Sequence, residues 1–330
     1  MSHALVCYSS KAFLPDSRIQ VIWDSTSLGL AKTCQRKYYY TMIAGWAPKS
    51  TPLPLTFGIL YHEAFQWFDQ AQAKGMSVET ALIFTLRLIH AKTYNWDSPD
   101  SYRNRETLVR AIVWYVEQFR DDPCTTVILA DGNPAVELSF KYQVPDFYPL
   151  GEPIFFSGHL DRLVTMQEKL WILDKKTTTF ALSGFYFDKY SPDNQMSFYT
   201  LAGKILYSSQ ISGAIIDAVQ LGVGFNRYQR HIVSRTESQL LEWLDNTKAT
   251  ITNILSIAES SDSHLPHHWA MNDTACDKFG GCAFRETCSR SPEVRQAFLS
   301  ADFQQKLWDP AVPRDAGLPP SPQQISCTDD

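Results

Sequence analysis

Two neighbouring segments in the middle of the chain constrain its fold most strongly. Residues 154–165 and 169–176 are rich in Ile, Leu, Phe and Trp and show period-two alternation, which predicts two β-strands. Side chains alternate between the faces of a strand, so Asp174 and Lys176 are expected to point the same way and Lys175 the opposite way. The other strand carries Asp161. The two strands therefore place carboxylates and a lysine on one small sheet.

Two aspartates beside a lysine suit the chemistry of a divalent-metal phosphodiesterase. Carboxylate oxygens bind hard cations such as Mg²⁺ or Mn²⁺, and a lysine can steer a water or neutralise charge that develops on a phosphate. Simpler interpretations stay open: Asp161 and Arg162 as a surface ion pair, and residues 174–176 as the solvated end of a strand. Lys175, on the opposite face, is expected to be solvated.

The pattern of apolar residues changes from helical to strand-like along the chain. A short helix with a Ser or Thr N-cap is predicted to end near Cys34, and the first third otherwise reads as long helices. Ser191-Pro192 is expected to start a helix, and so is Thr236, whose helix runs to about Glu259. The remaining predicted elements are helices at 57–73, 78–96 and 104–121 and strands near 135–142 and 214–226. This order predicts an α/β fold with a small mixed sheet flanked by helices.

Composition and charge limit the surface properties and the cellular location that we expect for this chain. The chain has 30 Lys and Arg against 35 Asp and Glu, a formal charge of −5, so a uniformly basic surface is excluded while a local basic groove is not. No apolar run approaches the roughly 20 residues of a membrane span, and no secretory signal is evident. We expect a cytoplasmic protein with no membrane contact. One domain is predicted over 1–308, with a helical insertion at about 75–125, followed by a disordered tail at 309–330.

Three of the seven cysteines lie close together in the sequence. Cys276, Cys282 and Cys288 are separated by five residues each, and two glycines between the first two allow the loop to turn back. Three thiolates in one loop of an intracellular protein favour a metal over disulfides. Cys34 is considered separately below. The remaining cysteines are expected to be free, and these are Cys7, Cys124 and Cys327.

Four short motifs lie in order along the chain: FGILYHE at 57–63, GHLDRL at 158–163, LDKKT at 173–177 and QMSFY at 195–199. Each motif alone would be a weak signal. Taken together and in this order, they resemble the PD-(D/E)XK nuclease superfamily, and within it the branch of RecB-type and CRISPR-adaptation nucleases.

The resemblance implies a restriction-endonuclease-like core and a role for each motif residue. It implies that Lys176 orients or activates the attacking water and stabilises the phosphate, and that Gln195 and Tyr199, on one helix face, support the lysine or contact the DNA backbone. Glu137 is expected to be structural first and an accessory acid second, and His159 a neighbour of the site. The implied metal ligands are His62, Asp161, Asp174 and the backbone carbonyl of Lys175.

The same branch joins its N- and C-terminal parts through a [4Fe-4S] cluster, and Cys34 occupies the matching N-terminal position. The resemblance therefore implies Cys34, Cys276, Cys282 and Cys288 as the ligands of a cluster. The first gap of the triplet is five residues, whereas many members have two. Four cysteines would also suit zinc, and a buried free thiol is the alternative for Cys34.

The activity that the resemblance implies is Mg²⁺- or Mn²⁺-dependent hydrolysis of DNA by an exonuclease or flap-type nuclease in recombination, repair or phage replication. The expected partners are DNA with single-stranded ends and a separate helicase or recombination protein. The alternatives are a CRISPR-associated nuclease in spacer processing and a non-catalytic, cluster-bearing DNA-binding subunit.

Candidate DNA contacts lie outside the motifs. Tyr38 to Tyr40 either stack on single-stranded bases or pack in the core. The candidate phosphate contacts are Arg36, Lys37, Arg227, Arg230 and Arg235.

Overall fold

The computed structural model describes residues 11–277 and 280–312. Cys7, Cys327 and the part of the predicted tail from residue 313 onward lie outside the described residues. The helices are α1 (Ser25–Thr33), α2 (Gln35–Tyr38), α3 (Leu53–Ala73), α4 (Val78–Lys92), α5 (Arg105–Gln118), α6 (Gly184–Asp188), α7 (Asn194–Leu206), α8 (Glu237–Glu259), α9 (Arg285–Ser289) and α10 (Arg295–Asp302). The strands are β1 (Ile22–Trp23), β2 (Trp46–Pro48), β3 (Thr125–Thr126), β4 (Val136–Gln143), β5 (Phe155–Met166), β6 (Lys169–Thr178), β7 (Ile211–Leu221), β8 (Asn226–Val233) and β9 (Phe303–Gln305).

The described residues form two compact units, each assembled from separate stretches of chain. The first unit contains residues 11–51, 140–158 and 237–312, and the second contains 52–139 and 159–236. The single domain over 1–308 stays a prediction. None of the described helices is long and apolar enough to span a bilayer.

The first unit is built around a buried aromatic cluster. Tyr38 stacks on Trp23 at 5.6 Å between ring centroids and contacts Trp269 at 5.8 Å, and Tyr40 is fully buried. These rings pack in the core, so the idea that they stack on bases is wrong. The core-packing alternative is the correct one, because the chain turns through α2 and a following π-helical turn that points the rings inward.

Local hydrogen bonds explain where two helices begin. Asp24, rather than a Ser or Thr, caps α1: it accepts the backbone N–H of Ser27 at 2.7 Å in a capping box. Asp193 likewise caps α7 by accepting the N–H of Met196 at 2.9 Å. The helix predicted to start at Ser191-Pro192 therefore starts a few residues later, because the aspartate satisfies the first free amides.

The second unit contains a mixed sheet. β5 is antiparallel to β6, β6 is parallel to β7, and β7 is antiparallel to β8. The predicted strand at 214–226 corresponds to β7, which ends at Leu221 because the chain turns at Gly222, whose N–H donates to the carbonyl of Phe225 at 2.9 Å, and at Gly224, which adopts φ +77°. Strand β8, which follows this turn, was not predicted. The prediction of an α/β fold with a mixed sheet flanked by helices is confirmed.

Helices α3, α4 and α5 bury their apolar faces in one hydrophobic core. Phe57, Leu60, Tyr61, Ala64 and Phe65 of α3 pack there with residues of α4 and α5 and with the end of β7. The 3.6-residue period places His62 at the edge of this buried stripe, 24% exposed. Packing of α3 thus turns one polar side chain toward the sheet.

Candidate active site

Strand β6 presents its acidic and basic side chains on opposite faces, as predicted. Lys176 Nζ lies 2.5 Å from Asp174 Oδ2, which places both side chains on one face. Lys175 Nζ instead lies 3.2 Å from Asp217 Oδ2. The expectation that Lys175 is solvated is wrong, since only 2% of it is exposed.

An imidazole and two carboxylates meet beside this face. His62 Nδ1 lies 3.2 Å from Asp161 Oδ2, and the same oxygen accepts the backbone N–H of Lys175 at 2.9 Å. Glu137 completes the group, with one possible ligand atom from each of His62, Glu137 and Asp161 lying within 4.8 Å of the others. Glu137 also adopts φ +52° inside β4, a conformation rare for a non-glycine residue. The sequence does not show that Glu137 lies near His62 and Asp161, because it is the pairing of β4 with β5 that brings Glu137 there.

The donor set fits a hard divalent cation. Carboxylate oxygens with one imidazole nitrogen match the ligands that Mg²⁺ and Mn²⁺ take in proteins. Of the predicted ligands, His62 and Asp161 are in contact, and Asp161 also accepts the backbone N–H of Lys175, whose carbonyl stays a predicted ligand. Asp174 is paired with Lys176 and lies outside the 4.8 Å group.

Lys176 is held by a chain of hydrogen bonds from α7. Its ammonium donates to Gln195 Oε1 at 2.9 Å, and Gln195 Nε2 donates to Tyr199 Oη at 3.1 Å. Gln195 and Tyr199 are four residues apart and so share a helix face. Of the two roles implied for this pair, support of the lysine is the one that the contacts favour.

The ionisation of the site follows from burial and these pairings. Burial raises the pKa of Asp174 to about 6, against the opposing charge of Lys176. Burial also acts to raise the pKa of Asp161, but the His62 imidazolium and its hydrogen bond hold that pKa well below its usual range. The pKa of His62 is raised, because Asp161 outweighs the effect of burial.

The lysine stays charged at neutral pH. Burial lowers the pKa of Lys176, and the neighbouring Asp174 and Asp161 raise it by more, so that the net shift is upward. An ammonium cannot accept a proton. The geometry therefore suits Lys176 to charge stabilisation rather than to proton removal.

A buried network on the other face anchors β6. Asp217 of β7 is 2% exposed and accepts hydrogen bonds from Tyr115 and from Lys175, and Arg230 Nε lies 3.4 Å from Asp217 Oδ1. The Lys175 ammonium also lies 4.2 Å from the ring centroid of Phe65. Because the backbone of Lys175 contacts Asp161, this network fixes a part of the candidate site from behind. The sequence did not predict it.

Arg162 belongs to a second buried pairing. Its Nη1 lies 3.1 Å from Asp69 Oδ1 and 3.8 Å from Asp122 Oδ2, and the residue is 7% exposed. The alternative of a surface ion pair with Asp161 is wrong, because adjacent residues of a strand point to opposite faces.

Two of the predicted phosphate contacts form hydrogen bonds with other groups of the protein. Arg36 is 4% exposed and donates to the carbonyl of Trp269, and Arg230 donates to Asp122 and Tyr115. The guanidinium of Arg36 is buried and that of Arg230 is ion-paired with Asp122, so neither group is free to contact a phosphate in this structure. The other three predicted phosphate contacts have different surroundings. Arg235 donates to nearby Ser and carbonyl groups, Lys37 lines the cysteine cavity, and Arg227 is exposed.

The four predicted cluster ligands line one cavity of the first unit. Cys34, Cys276, Cys282 and Cys288 are free, half-buried thiols around a space of about 310 Å³. The backbone N–H of Asn272 donates to Cys34 Sγ at 3.4 Å. Within the described residues, no three of these sulfur atoms lie within 4.8 Å of one another.

Burial affects the protonation of these thiols. Burial raises the pKa of Cys288 to about 11, and burial and the neighbouring Cys282 raise the pKa of Cys276. In the second unit, burial also raises the pKa of Cys124 to about 11, and this thiol is free as predicted. These cysteines are thiols at neutral pH unless a bound metal displaces the proton.

Comparison with known proteins places this site in a family. The sequence profile of the PD-(D/E)XK nuclease superfamily matches residues 25–289, which include every residue of the candidate active site. No curated protein matches the chain. Among solved structures, one titled "Crystal structure of SSO0001" aligns with 49% of this chain and 68% of its own length, at 10% identity and a TM-score of 0.24, too low to support an argument about fold.

One face of the mixed sheet carries carboxylates and a lysine, and the imidazole of His62 in α3 lies beside it. This arrangement is typical of metal-dependent hydrolases. The match over most of the sequence is more specific: the chain belongs to the PD-(D/E)XK nuclease superfamily. Membership implies a metal-dependent nuclease. The resemblance at the level of the superfamily is thereby confirmed.

Proposed function

We propose that this protein is a deoxyribonuclease that depends on Mg²⁺ or Mn²⁺, belongs to the RecB-like branch, and hydrolyses phosphodiester bonds at DNA ends as an exonuclease or flap-type nuclease. The observation that carries the proposal is the contact of His62 with Asp161, beside Glu137 and next to the Asp174–Lys176 pair. An imidazole, several carboxylates and a permanently charged lysine are the groups that phosphodiester hydrolysis needs.

Each residue has a part in the proposed reaction. His62, Glu137 and Asp161 would hold the cation, and Asp174 would join them when its carboxylate is ionised. When bound, the cation would supply Lewis-acid activation and offset negative charge. Lys176, which donates to Gln195, would offset the negative charge that develops on the phosphate.

Hydrolysis breaks the bond between phosphorus and the leaving oxygen, while water supplies the new oxygen and the two protons that balance the products. Preorganised donors lower the barrier without reorganising during the step. The chain Tyr199–Gln195–Lys176 provides that preorganisation. Of the roles implied for Lys176, we favour charge stabilisation, because an ammonium cannot accept a proton from water and the pKa of Lys176 is raised.

The decisive experiment is a cleavage assay with a matched variant. Full-length protein is incubated with end-labelled single-stranded and duplex DNA in Mg²⁺, Mn²⁺, Ca²⁺ or EDTA. We expect shortening of DNA with Mg²⁺ or Mn²⁺, none in EDTA, and none for Asp174→Asn, whereas Asp245→Asn, at an exposed position in α8, cuts like the wild type. DNA binding by the wild type without cleavage under any metal would refute the proposal and favour a non-catalytic DNA-binding subunit.

We also propose a [4Fe-4S] cluster at Cys34, Cys276, Cys282 and Cys288. Four free thiols around one cavity suit a thiolate-bound group. Iron–sulfur clusters are held by four cysteine thiolates, which is the number of cysteines that line this cavity.

Anaerobic purification tests this second proposal. A brown protein with about four iron atoms per chain, lost in Cys282→Ser, is the expected result. A colourless protein with one zinc per chain, or one with neither metal and unchanged stability in Cys282→Ser, would overturn it. Cys124→Ser, which changes a free thiol of the second unit, serves as the control.

A further inference from the structure

The guanidinium of Arg36 is a buried cation of the first unit. Arg36 is 4% exposed, and its Nε donates to the carbonyl of Trp269 at 2.9 Å. The Tyr40 hydroxyl lies next to this guanidinium, and neither Tyr40 Oη nor Arg36 Nη1 has a hydrogen-bond partner of standard geometry among the described residues. The candidate active site belongs to the second unit and does not use Arg36.

No carboxylate pairs with this buried charge. In the part of the chain that the structure describes, no Asp or Glu oxygen lies within 4.0 Å of Arg36. Two other buried basic side chains do have such partners: Arg162 is paired with Asp69, and Lys175 with Asp217. A charge that is taken out of water without an opposite charge destabilises the fold. Arg36 therefore lacks the counter-charge that its burial requires.

Hydrogen bonds place Arg36 beside the surroundings of Cys34. The backbone N–H of Arg36 donates to the carbonyl of Ala270 at 3.0 Å. Two residues further along that segment, the backbone N–H of Asn272 donates to Cys34 Sγ at 3.4 Å. The segment that contacts Arg36 is thus the one that contacts the first of the four cysteines.

Further contacts connect Arg36 to Cys288. The ring of Tyr40, next to the Arg36 guanidinium, lies 5.1 Å from the ring of Phe284 between centroids, and the Phe284 carbonyl accepts the backbone N–H of Cys288 at 2.8 Å. Burial raises the pKa of the Cys288 thiol to about 11, and the charges of Arg36 and then Arg295 oppose this rise. The Arg36 guanidinium can therefore stabilise a negative charge on the Cys288 sulfur.

A second guanidinium borders Cys288. Arg295 Nη2 donates to the Cys288 carbonyl at 3.0 Å, and within the described residues no carboxylate oxygen lies within 4.0 Å of Arg295. Arg285, which lines the same cavity, differs because its side chain is 61% exposed and is ion-paired with Asp277. Cys288 thus has two guanidinium groups nearby that are not ion-paired.

The cavity lined by the four cysteines is a place where negative charge forms when a metal binds. A metal displaces the protons of its cysteine ligands, so that the thiols become thiolates. Four thiolates carry four negative charges, of which one zinc ion or a [4Fe-4S]²⁺ core offsets two, leaving a net charge of about −2. Positive charges nearby stabilise such a group, because Coulomb attraction is strong where water is excluded.

We propose that Arg36, together with Arg295, is the counter-charge of a metal–thiolate group bound in the cysteine cavity. Arg36 stabilises the metal-loaded protein and disfavours the metal-free protein, in which its charge has no partner. The inference rests on the proposed binding of a metal by the four cysteines, and it applies to an iron–sulfur cluster and to zinc alike. It gives Arg36 a function at the cysteine cavity in place of a phosphate contact.

The first test compares Arg36→Met, which removes the charge, with Arg36→Lys, which keeps it. Full-length proteins are purified without oxygen, and the reduction potential of the bound cluster is measured by redox titration followed by visible absorption. A nearby positive charge favours the reduced, more negative cluster. We expect Arg36→Met to lower the equilibrium constant for reduction about tenfold, which is about 59 mV for one electron, and Arg36→Lys to stay within about twofold of the wild type.

A second measurement does not need iron. Metal-free protein is titrated with Co²⁺, whose bonds to thiolates absorb visible light, and the midpoint of thermal unfolding is recorded with and without Co²⁺. We expect Arg36→Met to weaken Co²⁺ binding about tenfold and to gain less thermal stability from Co²⁺ than the wild type does. An arginine with only a structural role would lower the midpoint equally with and without the metal.

Two further variants control for folding and for general charge effects. Arg285→Met removes an exposed, ion-paired arginine of the same cavity, and it should leave the reduction potential and the Co²⁺ affinity within about twofold of the wild type. Arg295→Met should change both in the same direction as Arg36→Met. If Arg36→Met does not fold, Arg295→Met and Arg36→Lys decide the question.

The outcomes separate this inference from the proposals on which it builds. A folded Arg36→Met with the reduction potential and the Co²⁺ affinity of the wild type overturns the inference, and so does an Arg36→Lys that behaves like Arg36→Met. A colourless wild type whose Co²⁺ affinity falls in Arg36→Met refutes the iron–sulfur proposal and supports the inference. A wild type that binds neither iron nor Co²⁺ overturns both. None of these results depends on whether the protein cuts DNA.

Discussion

The ionisation of Asp174 provides a quantitative test of the candidate site. This residue is 2% exposed, and burial raises its pKa from 3.8 to about 6. Because the folded-state pKa is the higher one, protonation of Asp174 stabilises the fold. That contribution is complete below the unfolded-state pKa and is lost as the pH rises through about 6.

Linkage gives the size of the effect. A shift of about two pH units corresponds to about 3 kcal/mol in the limit, of which about 2 kcal/mol is gained or lost between pH 4.5 and pH 8. Asparagine cannot ionise, so Asp174→Asn removes this pH dependence. We expect the free energy of unfolding of the variant, relative to the wild type, to rise by about 2 kcal/mol from pH 4.5 to pH 8.

Urea unfolding in EDTA, followed by tryptophan fluorescence at pH 4.5, 6 and 8, measures the effect. His62 titrates in both proteins, so the difference between them reports mainly on Asp174, and Asp245→Asn serves as an exposed control. At pH 8, added Mn²⁺ should stabilise the wild type more than Asp174→Asn, because a ligand of the folded state raises its stability. A difference that stays constant with pH, or that falls toward pH 8, would show that burial of Asp174 carries no such cost.

Two further predictions concern the groups around this site. Asp217→Ala leaves the buried ammonium of Lys175 without its carboxylate and should lower the free energy of unfolding by about 3–5 kcal/mol in urea denaturation; a loss below about 1 kcal/mol contradicts the proposed anchoring. Gln195→Ala removes a hydrogen bond to Lys176 and should slow single-turnover cleavage about tenfold with stability changed by less than about 1.5 kcal/mol. An unchanged cleavage rate would mean that the lysine needs no such support.

The sequence determined those features that depend on local periodicity. Alternation along a strand separates Asp174 and Lys176 from Lys175, whatever the strand packs against. The 3.6-residue period of α3 likewise places His62 at the edge of a buried stripe. The order of the motifs then predicted the superfamily and the mixed α/β fold.

Tertiary structure decided which partner each of these side chains meets. Lys175 reads as a solvated strand residue until β7 brings Asp217 beside it, and Glu137 reads as structural until β4 brings it to His62. The run of tyrosines at 38–40 has the composition of a stacking surface, and only the packing of the first unit buries it. Local pattern specifies the direction of a side chain, whereas burial, pKa and pairing depend on elements far away in the sequence.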